Sequence, residues 1–120
     1  MASERRVLII DDDNSTQRLL AMVLRRSGFV PSVASSAPEA MTFLQGEEPF
    51  HLIILDFMGV GSSEVMEFLE SLSSCPPVVL CSGATTHQLQ EFGTSVVSAI
   101  VRKPFDVKQL AATVATLTLM

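Results

Sequence analysis

Residues 7–13 read VLIIDDD, a short apolar run that stops at three consecutive aspartates. A short apolar run with polar boundaries is typical of a strand buried on both faces of a parallel sheet. Segments with apolar residues at helical spacing separate this run from others of the same kind. The predicted strands are Val7–Ile10, Phe29–Ala34, Leu52–Leu55, Val78–Cys81 and Ala99–Val101. Strands that alternate with helices indicate an α/β fold in which helices cover both faces of one parallel sheet.

The starts of the predicted helices carry N-cap signals. At an N-cap, a short polar side chain accepts a hydrogen bond from a backbone N–H of the first turn, and a Glu or Gln three residues later can reach back. The pairs with this spacing are Asn14 with Gln17, Ser36 with Glu39, Thr85 with Gln88, and Asp106 with Gln109. Another helix is indicated after Ser62, with an apolar face of Val65, Phe68, Leu69 and Leu72. We therefore expect five helices around a five-stranded sheet.

Length and composition limit the class of protein. The 120 residues, of which 48% are hydrophobic, suit one globular domain over residues 1–120. The apolar runs are far shorter than a membrane span, and the polar start at Met1–Arg6 lacks the apolar core of a secretory signal. A formal net charge of −5 disfavours direct nucleic-acid binding. With Cys75 and Cys81 interpreted as reduced structural thiols, we expect a cytoplasmic domain with no membrane contact.

Chemically active side chains follow most of the predicted strands. Asp11, Asp12 and Asp13 follow the first strand, Asp56 the third, Ser82 and Gly83 the fourth, and Lys103 the fifth. The carboxyl ends of parallel strands lie at one edge of the sheet, where open α/β folds bind their ligands. Carboxylates gathered in one cleft repel one another, and a hard divalent cation such as Mg²⁺ removes that repulsion. The sequence therefore predicts a magnesium site at this edge.

The same side chains suit phosphoryl transfer to a carboxylate. Asp56 can act as the nucleophile and become an acyl phosphate. Lys103 supplies a compact positive charge for the phosphoryl oxygens. The Ser82 hydroxyl and the Gly83 backbone N–H can donate hydrogen bonds to those oxygens. Together with Mg²⁺, which neutralises charge during phosphoryl transfer, these groups predict a phosphoryl-accepting site.

Four segments, in this order, resemble the motifs of response-regulator receiver domains. They are VLIIDDD at 7–13, LIILD at 52–56, VVLCSG at 78–83 and VRKPF at 101–105. The resemblance covers nearly the whole chain, and the set of motifs is far more specific than any one of them. It implies a flavodoxin-like, doubly wound parallel sheet with the strand order 2-1-3-4-5.

The resemblance also implies roles for individual residues. Asp56 would be the phosphorylation site and would hold Mg²⁺ together with Asp11, Asp12 and the backbone carbonyl of Met58. Ser82, Gly83 and Lys103 would stabilise the phosphoryl group. Such domains are phosphorylated by a sensor histidine kinase or a phosphotransfer protein, and they act on others through protein contacts. We therefore expect no turnover enzyme, but a regulator that contacts a downstream protein or an output domain excised from this chain.

The chain departs from the pattern of the family at several positions, one of which concerns the switch. Receiver domains often have Tyr or Phe three residues before the conserved lysine, and the rotation of that ring reports phosphorylation to partners. This chain has Ile100 there and contains no Tyr. A switch at Ser82 and Ile100 would therefore work without the usual aromatic ring. Phosphorylation could also shift a weak homodimer through the face formed by the predicted fourth helix and fifth strand.

Two alternatives remain open at this point. A pseudo-receiver would use the same fold as a binding module without phosphorylation. The altered loop after Asp56 and the missing aromatic residue favour it, whereas retention of the acidic pair, Asp56, Ser82 and Lys103 argues against it. The string at Asp11–Ser15 also resembles the first motif of haloacid-dehalogenase-like phosphatases, in which the first Asp is the nucleophile. That reading accommodates Ser82 and Lys103 but leaves Asp56 unexplained, and no acidic pair follows Lys103 to hold the metal.

Overall fold

The structure, a computed structural model, describes residues 5–56, 62–72, 74–82, 97–103 and 106–118. The strands are β1 (Arg6–Ile10), β2 (Val30–Ala34), β3 (Leu52–Asp56), β4 (Val78–Ser82) and β5 (Val97–Arg102). The helices of the described residues are α1 (Asn14–Arg26), α2 (Ala37–Leu44), α3 (Ser62–Ser71) and α4 (Val107–Thr118). The helix predicted near Thr85 lies outside the described residues. None of the described helices is long and apolar enough to cross a membrane.

The strands form one parallel sheet in the order β2-β1-β3-β4-β5. This confirms the predicted fold class and strand order. Most strands are longer than the apolar runs, because ladder pairing continues to polar residues such as Ser82, which is the partner of Arg102. Only β2 starts later than predicted, at Val30 instead of Phe29.

The late start of β2 follows from the way in which α1 ends. Gly28 has a φ of 89°, which is a conformation that suits glycine. Its N–H donates to the carbonyl of Arg25 at 3.1 Å, and the N–H of Phe29 donates to the carbonyl of Leu24 at 2.9 Å. These two bonds form a Schellman motif, which satisfies carbonyls at the helix end. The backbone N–H of Phe29 is therefore hydrogen-bonded to the end of α1, while the side chain of Phe29 is buried.

Apolar side chains alternate between two cores, one on each face of the sheet. On β1, Val7 and Ile9 point to the core formed with α1 and α4, whereas Leu8 and Ile10 point to the core formed with α2 and α3. The strand β3 alternates in the same way. Because both faces are buried, the central strands are continuously apolar, and this is the pattern that the sequence shows.

The helix starts confirm two of the predicted N-caps and correct a third. The Ser36 hydroxyl accepts from the N–H of Glu39, and an Asp106 carboxylate oxygen accepts from the N–H of Lys108. At α1, however, the N-cap is Asp13, and Asn14 is already the first helical residue. The prediction of Asn14 was wrong because Asp and Asn are both good N-cap residues, so the sequence does not distinguish them. In the structure the Asp13 carboxylate accepts from the N–H of the first turn. The pair at Thr85 lies outside the described residues.

Candidate functional site

Strand alternation brings Asp11, Asp56 and Lys103 to one face at the carboxyl edge of the sheet. Asp11 continues the alternation of Val7 and Ile9, and Asp56 continues that of Leu52 and Ile54. Lys103 follows Ala99 and Val101 of the same core at the same spacing. Successive side chains of a strand point to opposite faces. The three charged groups therefore lie above the core packed by α1 and α4, although they come from distant parts of the sequence.

Lys103 pairs with both carboxylates. Its Nζ donates to Asp56 Oδ1 at 2.7 Å and to Asp11 Oδ2 at 3.2 Å. The side chains of Asp11, Asp56 and Lys103 are 2%, 13% and 27% exposed. The pairing thus stabilises two largely buried carboxylates that would otherwise be costly to ionise.

The surroundings change the proton affinity of Asp56 and Lys103 in a connected way. Burial raises the pKa of Asp56, with Asp11 and Asp12 adding to the rise, while the hydrogen bond and charge of Lys103 oppose it. Burial by itself would lower the pKa of Lys103, but the bond to Asp56 and the charges of Asp11 and Asp56 raise it above its ordinary value. Lys103 is therefore held in its charged form, while the pKa of Asp56 stays above its ordinary value despite the bond to Lys103.

Asp12 completes a cluster of three carboxylates. One ligand oxygen from each of Asp11, Asp12 and Asp56 lies within 4.8 Å of the others. Asp11 is buried, Asp56 is half-buried and Asp12 is exposed, so the cluster opens toward solvent on the side of Asp12. The single positive charge of Lys103 leaves an excess of two formal negative charges. Hard oxygen donors with that charge fit a divalent cation of the Mg²⁺ type.

The loop between β1 and α1 is held by contacts that the sequence did not reveal. Asp13 Oδ2 accepts from the N–H of Thr16 at 2.9 Å and from its hydroxyl at 2.6 Å. These bonds lower the pKa of the exposed Asp13. The side-chain amide of Gln17, predicted to reach back to Asn14, donates instead to the backbone carbonyl of Asp11 and to the hydroxyl of Ser35. Spacing alone gave no signal for this contact, since its partners are six and eighteen residues away.

The remaining predicted site residues are placed only in part. The backbone of Ser82 ends β4 next to the site, while Met58 and Gly83 lie outside the described residues. Ile100 lies on β5 opposite Leu80 and is 42% exposed. Cys81 is buried beside the site as the ladder partner of Asp56, and burial raises its pKa to about 12.

Comparison with known proteins identifies the family. Residues 7–115 match the response regulator receiver domain. The chain belongs to this family. A curated relative, the DNA-binding response regulator MtrA of Mycolicibacterium smegmatis, is 33% identical over 112 residues, which cover 92% of this chain and 49% of the relative. A putative NtrX-like response regulator of Rickettsia felis is 31% identical over 115 residues, which cover 87% of this chain and 23% of the relative.

This receiver domain therefore spans about half the length of MtrA and less than a quarter of the length of the NtrX-like relative.

Solved structures agree on the fold. The receiver domain of the Francisella response regulator 1452 superimposes with a TM-score of 0.83 at 24% identity, covering 96% of this chain and 97% of that one. The chemotaxis response regulator CheY4 of Vibrio cholerae gives a TM-score of 0.81 at 22% identity, covering 96% and 99%. Membership in this family favours the receiver over the phosphatase alternative.

Proposed function

We propose that this receiver domain accepts a phosphoryl group on Asp56 from a phosphohistidine of a sensor histidine kinase or phosphotransfer protein. The observation that supports this most directly is the bond of 2.7 Å between Lys103 Nζ and Asp56 Oδ1 within the acidic cluster. It places a fixed positive charge beside the one carboxylate of the cluster that ends a central strand. The reaction requires a nucleophilic oxygen and a charge partner for the phosphoryl oxygens, and Asp56 and Lys103 are proposed to supply them.

The proposed cofactor is Mg²⁺, held by Asp11, Asp12 and Asp56. The backbone carbonyl of Met58 is the further ligand implied by family resemblance. The fit rests on the spacing of the three carboxylate oxygens and on their excess negative charge. When bound, Mg²⁺ would neutralise negative charge on the phosphoryl oxygens during in-line transfer.

The residues of the chain carry the transfer itself. A carboxylate oxygen of Asp56 forms a bond to phosphorus as the bond between phosphorus and the imidazole nitrogen breaks. The departing imidazole keeps the electron pair of that bond and takes up a proton. Lys103 then pairs with a phosphoryl oxygen, because the phosphoryl group carries more negative charge than the carboxylate it replaces. The Ser82 hydroxyl and the Gly83 N–H are proposed to donate to the other phosphoryl oxygens.

We propose that phosphorylation of Asp56 is transmitted to a binding partner through Lys103 and through β5, the strand that precedes it. Phosphorylation changes the partner of Lys103, and this biases the end of β5 between two arrangements. Ile100 lies on the same strand and is exposed, so it can report the change by altering an apolar contact with a partner. A downstream protein, an output domain or a second copy of the chain would bind the face of β5 on which Ile100 is exposed.

The longer relatives suggest how such a domain is used. MtrA is named as DNA-binding, and this chain corresponds to about half of it. For the present chain we propose output through a protein contact and no direct binding to nucleic acid, consistent with its net charge of −5. We further propose that it works in the cytoplasm, where its phosphodonor would be found.

The test is phosphorylation by a small donor. The protein is incubated with acetyl phosphate or phosphoramidate, with and without Mg²⁺, and its intact mass is recorded. Asp56→Asn and Asp11→Asn are compared with Asp106→Asn, a matched control because Asn also caps a helix well. We expect one Mg²⁺-dependent phosphoryl adduct in the wild type and in Asp106→Asn, and none in Asp56→Asn.

The other outcomes separate the alternatives. If no condition gives an adduct or consumes the donor, the chain is a pseudo-receiver, and its function is binding. If donor hydrolysis survives in Asp56→Asn but is lost in Asp11→Asn, the nucleophile is Asp11, and the phosphatase interpretation is correct.

A further inference from the structure

Gln17 joins two loops at the carboxyl edge of the sheet. Its side-chain amide nitrogen donates to the carbonyl of Asp11, in the loop after β1. The same nitrogen donates to Ser35 Oγ at 2.9 Å, in the loop after β2. Gln17 is half-buried, so water competes only partly for these bonds. The contact therefore ties the acidic loop to its neighbour across the top of α1.

The carbonyl of Asp11 belongs to the peptide that joins Asp11 to Asp12. Other contacts fix the Asp11 side of that peptide: the N–H of Asp11 donates to the carbonyl of Ala34 at 3.1 Å, and Asp11 Oδ1 accepts from the N–H of Asp13 at 2.9 Å. The Asp12 side of the peptide is exposed. The bond from Gln17 therefore restrains the orientation of the peptide from which the Asp12 side chain extends.

The restraint opposes an electrostatic force. The three carboxylates lie close together, and only Asp11 and Asp56 share Lys103. Without bound cation, repulsion favours conformations in which Asp12 turns away from the other two. An amide resists that movement without adding a charge, and its two N–H groups match two acceptors, the carbonyl and the hydroxyl.

We infer that Gln17 is a positioning residue that holds the Asp11–Asp12 peptide in the conformation needed for divalent-cation binding. This inference rests on the proposed function, because it concerns the cation site of the same cluster. Partners that orient metal ligands commonly change metal affinity by about tenfold or more when they are removed. Gln17 should therefore affect how much Mg²⁺ is needed, and not how fast the loaded site reacts.

The experiment measures Mg²⁺ affinity directly, by calorimetric titration of the unphosphorylated protein. The key variant is Gln17→Met, which keeps the length of the side chain but cannot donate a hydrogen bond. Gln45→Met is the matched control, since Gln45 is exposed and follows α2 at the opposite edge of the sheet. We expect about tenfold weaker Mg²⁺ binding in Gln17→Met and unchanged binding in Gln45→Met.

A kinetic readout distinguishes positioning from general destabilisation. The half-saturating Mg²⁺ concentration for phosphorylation by acetyl phosphate should rise about tenfold in Gln17→Met, while the rate at saturating Mg²⁺ stays within about twofold. Lower thermal stability with unchanged Mg²⁺ affinity would overturn the inference. So would a loss of the saturated rate without any change in affinity.

Ser35→Ala keeps the test decisive if Gln17→Met does not fold. It removes one acceptor of the Gln17 amide on an exposed loop, and a smaller, about threefold, weakening of Mg²⁺ binding is expected, equivalent to loss of one modest hydrogen bond. Unchanged affinity in a folded Ser35→Ala variant would then reject the inference. Failure of the proposed function is a separate result, because in that case the wild type itself would give no Mg²⁺-dependent phosphoryl adduct on Asp56, whatever its affinity for Mg²⁺.

Discussion

Lys103 Nζ lies 2.7 Å from Asp56 Oδ1, although 47 residues separate the two in sequence. The contact is possible because β3 and β5 end at the same edge of the sheet with only β4 between them. Lys103 also reaches Asp11, which comes from the strand on the other side of β3. One ammonium group thus connects three strand ends, and its removal should affect both the stability of the fold and the chemistry of Asp56.

Lys103→Met should raise the pKa of Asp56 further above its ordinary value. Lys103 is the group that lowers this pKa against the effects of burial and of the neighbouring acids. The acid limb of phosphorylation by a small donor should therefore move to higher pH, because Asp56 must be ionised to attack. A carbon-detected NMR titration of the Asp56 carboxyl group checks the shift. An unchanged or lower pKa would contradict the geometry.

The same substitution should destabilise the protein at neutral pH. It leaves two largely buried carboxylates without their cation, and breaking a fully buried pair costs about 3–5 kcal/mol. Because Lys103 is partly exposed and Asp56 can take up a proton, we expect a smaller loss of about 2 kcal/mol in the free energy of unfolding. Urea unfolding measures it. Lys108→Met, an exposed lysine on α4, serves as the control and should change little.

Asp12→Asn should have opposite effects with and without Mg²⁺. Without the cation it removes one of three mutually repelling charges, so stability should rise slightly, by up to about 0.5 kcal/mol in a solvent-exposed setting. With Mg²⁺ it removes a proposed ligand, so the stabilisation that the wild type gains from the cation should largely disappear. Thermal unfolding with and without Mg²⁺ tests both effects. Equal Mg²⁺ stabilisation of the variant and the wild type would exclude Asp12 as a ligand.

The sequence was sufficient to predict the sheet and the charged residues at its carboxyl edge because apolar runs and strand ends are local features. A run such as VLIIDDD indicates both a buried strand and the polar residues that follow it. The confirmed strand order came from family resemblance, since periodicity does not specify which strands are neighbours. Given that order, strand alternation accounts for the meeting of Asp11, Asp56 and Lys103 on one face.

The details around α1 could not be predicted, for a physical reason. Asp13 and Asn14 are adjacent and both suit an N-cap, and only the backbone conformation decides between them. The side chain of Gln17 has several partners within reach, and its choice of Asp11 and Ser35 depends on how the loops after β1 and β2 approach each other. The ion pair between Lys103 and Asp11 spans 92 residues and leaves no local signal.

The two cysteines should differ in their reaction with iodoacetamide. Burial raises the pKa of Cys81 to about 12, so its thiolate is scarce at pH 8 and its sulfur is inaccessible. Burial also raises the pKa of the half-buried Cys75, which should therefore react, but more slowly than an exposed cysteine. Intact mass should show one slow adduct in the native protein and two in urea. A native adduct that persists in Cys75→Ser would contradict the burial of Cys81.

Asp13→Ala should destabilise the protein at neutral pH but much less in acid. Hydrogen bonds from Thr16 lower the folded-state pKa of Asp13, so its contribution to stability is present above the unfolded-state value near 3.8 and is lost as the pH falls through the folded-state pKa. The difference in melting temperature between wild type and variant should therefore shrink below about pH 4. Asp13→Asn is the informative control, because Asn caps the helix without ionising. The difference in melting temperature between Asp13→Asn and Asp13→Ala should therefore change far less with pH. If the difference between wild type and Asp13→Ala stayed constant from pH 7 to pH 3, the stabilisation would not come from the charged form of Asp13. The contact with Thr16 would then contribute only as a neutral cap, and repulsion between Asp13 and the neighbouring acids would offset the benefit of its charge.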